Sequence, residues 1–237
     1  MRILITNDDG IGSPVLPRLA KWASKLGEVT VVAPKVEQSG MSHAIDFTRP
    51  IEIKKVDIGE KVRAFSMDST PADCVRYAVM GMKEHFDLVI SGINRGLNLG
   101  ADIVYSGTVG AIFEAARLGI KGVAFSTDPR SFDDAMSRID DVWSFFEKEN
   151  LLALGNIYNV NIPLSDKGIK VTRQGGIYFT DDFKYLGDDM YEQVGAMADP
   201  KSCDERFDNV AVIHGYISIT PLTSEKTNLS VYEKFEK

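Results

Sequence analysis

Histidine and cysteine are scarce: three His and two Cys in 237 residues. No two His stand at zinc-ligand spacing, so a His-rich zinc centre is excluded. Cys74 and Cys203 lie far apart and form no CxxC redox or metal motif. Long apolar runs are also missing. The stretch at the N-terminus is far too short for a signal peptide or a membrane span, and a cytoplasmic protein is the expectation. Basic charge is outweighed: 27 Lys and Arg face 34 Asp and Glu, a net charge of −7. The Lys and Arg form no stripe, which argues against a binder of nucleic-acid duplexes or membrane surfaces. A phosphorylated small molecule stays open, because a metal ion and a helix terminus can supply local positive charge. The common glycine signatures are absent as well. Without GxxxxGK[ST] there is no P-loop, and the lack of GxGxxG after the first strand argues against a dinucleotide-binding oxidoreductase. Without GxSxG there is no nucleophile elbow.

What is present is an ordinary globular composition, 44% hydrophobic and 26% charged. The order of elements reads as α/β. Strands are predicted at Arg2–Thr6, Val29–Ala33, Arg63–Ser66, Asp87–Ser91 and Val123–Ser126. Helices are predicted at Ser13–Leu26, Thr70–Met82, Thr108–Leu118 and Ser131–Lys148. The second of these starts well, with Thr70 as N-cap, Pro71 in the first turn and Asp73 three residues past the cap. Cys74 falls on its apolar face as a small core residue. Alternating short strands and helices imply a doubly wound, mostly parallel sheet. After residue 150 the style changes. Tyr158–Pro163, Lys170–Gln174 and Val210–Thr220 read as strands, with a polar loop over roughly 180–208. No linker or repeat divides the chain. Residues 1–237 read as one domain, a core over about 1–150 and C-terminal β extensions over about 151–237 that mediate association.

Four loops carry the chemistry. The first, Asn7-Asp8-Asp9-Gly10, ends an apolar strand in two adjacent carboxylates. Two like charges repel, and neither tolerates desolvation alone. A divalent cation resolves both problems; an Asx-rich turn capping the next helix is the alternative. The second loop, Pro34 to His43, offers Ser39 and Ser42 hydroxyls around Gly40, and its His43 reads as a hydrogen-bonded structural residue. The third, Gly92 to Gly100, holds Asn94, able to lend a carbonyl oxygen to a hard cation, and Arg95, facing phosphate or solvent. Asn98 reads as a site residue or an αL turn residue. The fourth, Tyr105-Ser106-Gly107-Thr108-Val109-Gly110, opens a helix whose N–H groups and dipole suit an anion, although plain N-capping also explains it. Three of the four follow predicted strands, and parallel strands gather their following loops on one sheet edge. The ligands on offer are oxygens, which suit Mg²⁺, Mn²⁺ or Ca²⁺.

Together these segments resemble the SurE family of survival-protein 5′-nucleotidases. The matching runs are Asn7-Asp8-Asp9-Gly10, Val32-Ala33-Pro34 with Ser39-Gly40, Thr70-Pro71-Ala72-Asp73-Cys74-Val75, Ser91-Gly92-Ile93-Asn94-Arg95-Gly96 with Asn98-Leu99-Gly100, and Tyr105-Ser106-Gly107-Thr108-Val109-Gly110-Ala111. Asn159-Val160-Asn161-Ile162-Pro163, Val171-Thr172-Arg173-Gln174 and Gly215 to Leu222 extend the match in order over nearly the whole chain. The resemblance implies a Rossmann-like fold and a phosphomonoesterase acting on nucleoside 5′-monophosphates. It implies one divalent ion per subunit, Mg²⁺ or Mn²⁺, on Asp8, Asp9, Ser39 and Asn94. It also implies a homodimer or homotetramer with exchanged C-terminal elements. Lys35, Ser69 and Ser13-Pro14 depart from the family pattern and bear on substrate preference more than on the reaction.

On that reading Asp8 or Asp9 orients a water or accepts its proton, while Asn94, Ser106, Gly107 and Thr108 hold the phosphate. Direct attack by water is favoured over an aspartyl-phosphate, since a carboxylate tied to a metal is a poorer nucleophile. Gly107→Val is then expected to weaken phosphate binding and leave metal affinity intact. Two alternatives remain: a broader phosphatase acting on 3′-nucleotides or short polyphosphate, and a non-catalytic nucleotide sensor. The aromatic residues Phe179, Phe183, Tyr185 and Tyr191 and the tail Asn228–Lys237 fit no core pattern and point to oligomer contacts.

Overall fold

Ile3, Leu4 and Ile5 are fully buried, and the two-residue period of a strand sends Ile3 and Ile5 into one core and Leu4 into another. A strand buried on both faces belongs at the centre of a parallel sheet, and β1 (Arg2–Thr6) lies there. The computed structural model describes residues 1–130, 132–198 and 202–236. In these, β2 (Glu28–Pro34), β3 (Ile53–Val56), β4 (Arg63–Met67), β5 (Leu88–Arg95), β6 (Lys121–Thr127), β7 (Ile157–Ile162) and β8 (Ile169–Val171) precede a hairpin of β9 (Phe179–Gly187) and β10 (Met190–Met197). β11 (Ile217–Leu222) completes the set.

Among the described residues the main sheet has nine strands in the order β3-β4-β2-β1-β5-β6-β7-β11-β8. From β4 to β7 every pairing is parallel, whereas β3 and β11 run antiparallel to their neighbours β4 and β7. The expected doubly wound α/β architecture is therefore present. The strand order reverses at β1, so β1, β2 and β5 deliver their C-terminal ends to one crevice.

Helices cover both faces. α1 (Leu16–Ala23) buries Leu16, Leu19 and Trp22 with Ile3, Ile5 and Val31. α2 (Pro71–Arg76) and α3 (Gly107–Arg117) cover the other face, with Cys74, Val75, Ala111 and Ala115 against Leu4, Val32 and Val89. α4 (Phe132–Lys148) adds Ile139, Val142, Trp143 and Phe146 to the first face. Trp22, Trp143 and Phe146 form a run of aromatic contacts with centroids 5.7 and 5.8 Å apart. Ser131, the expected first residue of this helix, lies outside the described residues. α5 (Leu151–Leu154), α6 (Asp208–Ile213) and α7 (Leu229–Tyr232) are short. No helix among the described residues is long and apolar enough to cross a membrane.

Several expectations are corrected. The helix expected from Ser13 starts only at Leu16, because residues 11–15 turn before Pro17 can enter the first helical turn. The helix expected over Thr70–Met82 is α-helical to Arg76 and then widens into a π-helical turn over Tyr77–Gly81. Its start is as expected: the Thr70 side chain accepts the Asp73 N–H at 3.1 Å. The expected strand Val210–Thr220 is helix α6 followed by β11. A short apolar run such as Val210 to Ile213 has no period that tells the two apart, and Gly215 at φ +91° closes the helix. The polar loop expected over 180–208 is largely the β9–β10 hairpin. Its turn at Gly187-Asp188-Asp189 holds three positive φ angles, a conformation suited to Gly and Asp.

Candidate active site

Asn7 makes the first loop by closing on itself: its side-chain amide donates to the Gly10 carbonyl at 2.9 Å and accepts the Gly10 N–H at 3.1 Å. Gly10 sits at φ +91°, where a side chain would be strained. That turn presents Asp8 and Asp9 at the C-terminal end of β1. The second loop is tied to the first, with the Gln38 N–H on the Asp8 carbonyl at 2.8 Å and the Ile11 N–H on the Pro34 carbonyl at 2.7 Å. The third site segment starts inside a strand, since β5 runs to Arg95 and carries Asn94 on its last turn of pleat. The β5–β6 register shifts between Ser91 and Asn94. Gly92 lies at that irregularity with φ +124°, and a Cβ there would meet the Phe125 carbonyl oxygen at 2.3 Å. Irregularities of this kind re-aim side chains beside active sites.

Asp8, Asp9, Ser39, Asn94 and Ser106 all line one cleft of about 880 Å³, as do Glu37 and Arg95. The two carboxylates differ in how they are held. Asp8 is buried, and both of its oxygens are bonded by Thr108: the hydroxyl at 2.5 Å and the N–H at 3.2 Å. Thr108 stands in the first turn of α3, so the helix N-terminus faces Asp8 and offsets part of its charge. Burial nevertheless pushes the Asp8 carboxyl above its usual range. Asp9 is less enclosed and has one longer bond, from the Arg95 N–H at 3.3 Å. Its carboxyl is pushed up to about 6, by burial first and by the neighbouring Asp8 charge second. Glu37 raises both further and is the acid that the sequence reading missed. It also accepts the Ser39 hydroxyl at 2.5 Å. Its position two residues before Ser39, in a loop already singled out, was the available signal.

This donor set fits a hard divalent cation. The crowded carboxylates keep raised pKa values although the Arg95 charge lowers that of Asp9, and the neighbouring hydroxyl and amide are oxygen donors. Asn94 uses its amide nitrogen on the Gly96 carbonyl at 2.8 Å, so its carbonyl oxygen is the end available to a ligand. Among the described residues no group of three His, Cys, Asp or Glu is arranged to hold a metal. A cation here would therefore rely on the neutral oxygens of Ser39 and Asn94 beside Asp8 and Asp9.

Of the four residues expected to hold phosphate, Asn94 lines the cleft as described, and the three of the fourth loop differ in their contacts. Ser106 lines the cleft and caps α3, its hydroxyl accepting the Val109 N–H at 3.1 Å. Gly107 and Thr108 pack on Asp8. A Cβ at Gly107 would stand 3.2 Å from the Asp8 Cβ and 3.4 Å from its Oδ2. The contact bears on the expectation that Gly107→Val spares metal affinity, because a side chain there presses on Asp8.

Two other candidates are held by structural contacts, and one of them, Asn98, also lines the cleft. His43 Nε2 pairs with the buried Glu114 at 2.8 Å and the ring stacks on Phe113. Glu114 also binds Arg76 and Arg117, and those partners overcome its burial and hold it down at about 2. Asn98 is gripped by its surroundings: its side-chain amide donates to the Ser126 hydroxyl at 2.8 Å, and its backbone carbonyl accepts from the Asn159 and Asn161 side chains, each at 2.8 Å. Of the departures from the family pattern, Lys35 pairs with Glu52 at 2.9 Å, and Ser69 donates to Asp73 at 2.6 Å.

Comparison with known proteins places the chain in a family. The family model described as survival protein SurE matches residues 3–181. A protein of Thermoanaerobacter sp. (strain X514) named 5′-nucleotidase SurE is 39% identical over 246 residues, covering 98% of this chain and 95% of that protein. One of the same name from Thermosipho melanesiensis is 36% identical over 249 residues, covering 100% and 97%. The crystal structure of SurE protein from Aquifex aeolicus superposes with a TM-score of 0.79 at 37% identity, covering 100% of this chain and 98% of that one. The chain belongs to the SurE family.

Proposed function

We propose that this protein hydrolyses nucleoside 5′-monophosphates to nucleoside and phosphate, a 5′-nucleotidase that uses one divalent cation, Mg²⁺ or Mn²⁺, per subunit. The observation that carries this reading is the convergence of Asp8, Asp9, Ser39 and Asn94 in one cleft at the point where the strand order reverses. Relatives of nearly the full length that bear the name 5′-nucleotidase SurE support the substrate class. Asp8, Asp9, Ser39 and Asn94 would hold the cation, which when bound polarises a phosphate oxygen and makes a nearby water more acidic.

The protein's own groups then have separable roles. Thr108 locks Asp8 by bonding both of its oxygens, so Asp8 is the rigid member of the pair and a poor nucleophile. This favours attack by water over an aspartyl-phosphate. Asp9 has an oxygen outside the Arg95 contact and faces the cleft, so it is the group that accepts the proton of the attacking water. Ser106 and the Arg95 side chain stand on the cleft wall to meet the phosphate oxygens. Arg95 is oriented by its Nε, which donates to the Pro129 carbonyl at 3.2 Å.

The proposal includes a homo-oligomer, a dimer or a tetramer. Phe183, Tyr185, Met190 and Tyr191 on the hairpin and Phe235 in the tail are exposed, and such apolar surface on a two-stranded arm calls for a partner. A reducing, cytoplasmic setting suits two free cysteines, Cys74 buried and Cys203 exposed. Phosphate release from a panel of 5′- and 3′-nucleotides and polyphosphate, with and without each metal, tests the function. Full activity after exhaustive chelation would refute the metal; release from 3′-nucleotides alone would refute the stated selectivity.

A further inference from the structure

The cleft that holds the carboxylates also has an aromatic wall. Tyr105 is 60% exposed and Phe179 is 42% exposed, and both line it. The backbone beneath each ring is pinned. Ser42 donates its N–H to the Tyr105 carbonyl at 3.0 Å and its hydroxyl to the Val104 carbonyl at 2.6 Å. On the other side, one oxygen of Asp102 accepts the N–H groups of both Tyr178 and Phe179, each at 2.8 Å. The Tyr178 ring is buried and meets Phe179 edge-on at a centroid distance of 4.9 Å, so it braces the exposed ring. Exposed aromatic rings on a fixed backbone are pre-organised contact area for a flat, apolar ligand.

We infer that this wall is the nucleobase subsite of the cleft, with Phe179 and Tyr105 as stacking faces and Asp102 as the positioning residue that seats Phe179. The inference rests on the proposed nucleotidase reading and adds where the base lies. Asp102 joins the start of the hairpin to the segment Gly100–Tyr105, so one carboxylate sets the spacing between the two aromatic faces. Loss of a stacking face weakens base binding by about tenfold or more.

Adenosine, which lacks the phosphate, separates the subsite from the reaction. Ligand-observed NMR titration of the full-length protein is expected to show adenosine binding that weakens at least about tenfold in Phe179→Ala and in Asp102→Ala, with Asp102→Asn, which keeps an acceptor oxygen, recovering part of the loss. In turnover, the ratio of kcat/KM for AMP to that for ribose 5-phosphate is expected to fall by a similar factor, through KM rather than kcat. Absence of adenosine binding, equal binding by wild type and both alanine variants, or loss of affinity only together with loss of the oligomer by light scattering would each overturn the inference. Failure of the wild type to release phosphate from any monoester would refute the nucleotidase reading, and the adenosine titration would still decide the subsite.

Discussion

Without a cation, the Asp8–Asp9 pair should destabilise the fold at neutral pH, and removing one charge should stabilise it. Asp9→Asn is the cleanest perturbation: the side chain keeps its shape, and an amide oxygen can still accept the Arg95 N–H. Asp9 has its carboxyl moved from 3.8 to about 6 in the folded protein. A tenfold change in proton affinity corresponds to about 1.4 kcal/mol, so full weight would give about 3 kcal/mol. Asp9 is partly open to water, and screening reduces this to about 1 kcal/mol. The sign follows from proton linkage. The folded state holds the Asp9 proton more tightly than the unfolded chain, so its contribution is fully present below pH 3.8 and is lost as pH rises through about 6. Asp8 is shifted in the same direction.

In EDTA at pH 8, Asp9→Asn should therefore melt higher than wild type by about 2–4 °C. The wild type should lose stability between pH 4 and 7 more steeply than the variant. Added Mn²⁺ should reverse the order, raising the wild-type Tm and leaving the variant little changed. Thermal unfolding followed by circular dichroism, with and without chelator across that pH range, makes the measurement. A metal-free variant no more stable than wild type at pH 8 would refute the reasoning, because the carboxylates would then carry no net repulsion.

Asp8→Asn and Asp9→Asn should each lower kcat by at least about 10²-fold in a phosphate-release assay, while His43→Ala, which breaks contacts to Glu114 and Phe113, should do much less. Thr108→Val removes a hydrogen bond to a buried charge and should lower stability by about 1.5–3 kcal/mol in denaturant titration, with a loss of metal affinity by calorimetry. Gly107→Val should weaken metal and phosphate binding together, since its side chain meets Asp8; retention of metal affinity with loss of phosphate alone would show that Asp8 is undisturbed. Truncation after Leu222 should lower the oligomeric state in light scattering, and a monomeric full-length protein at micromolar concentration would refute the proposed assembly.

The parts of this fold legible in the sequence are those where one local signal has one physical meaning. β-branched runs ending in Pro34 or a polar loop gave the central strands, and Thr70 with Pro71 and Asp73 marked a helix start that the Asp73 N–H to Thr70 contact reproduces. Three of the four site loops were legible for a related reason: parallel strands carry their following loops to a common edge whatever the intervening sequence. The unread parts are those where a local signal is ambiguous or is overridden by tertiary contact. Val210–Ile213 is an apolar run too short for a period to appear, and burial against β11 accommodates it as a helix. The hairpin Phe179–Met197 spreads its aromatic residues among Asp and Lys, so its alternation was hidden under its charge.

Thr108 shows the limit most sharply. A hydroxyl at a helix N-terminus reads equally as a cap, an anion site or a brace for something outside the segment, and only the packed structure selects among them. Here Ser106 provides the cap, through the Val109 N–H. Thr108 is left to turn both its donors on a residue 100 positions away. That long-range contact explains why two adjacent aspartates at the end of one strand behave differently: one is fixed by a helix N-terminus, the other is left open to the cleft. The asymmetry on which the proposed division of labour rests is therefore a property of the α3–β1 packing, and no reading of Asn7-Asp8-Asp9-Gly10 by itself contains it.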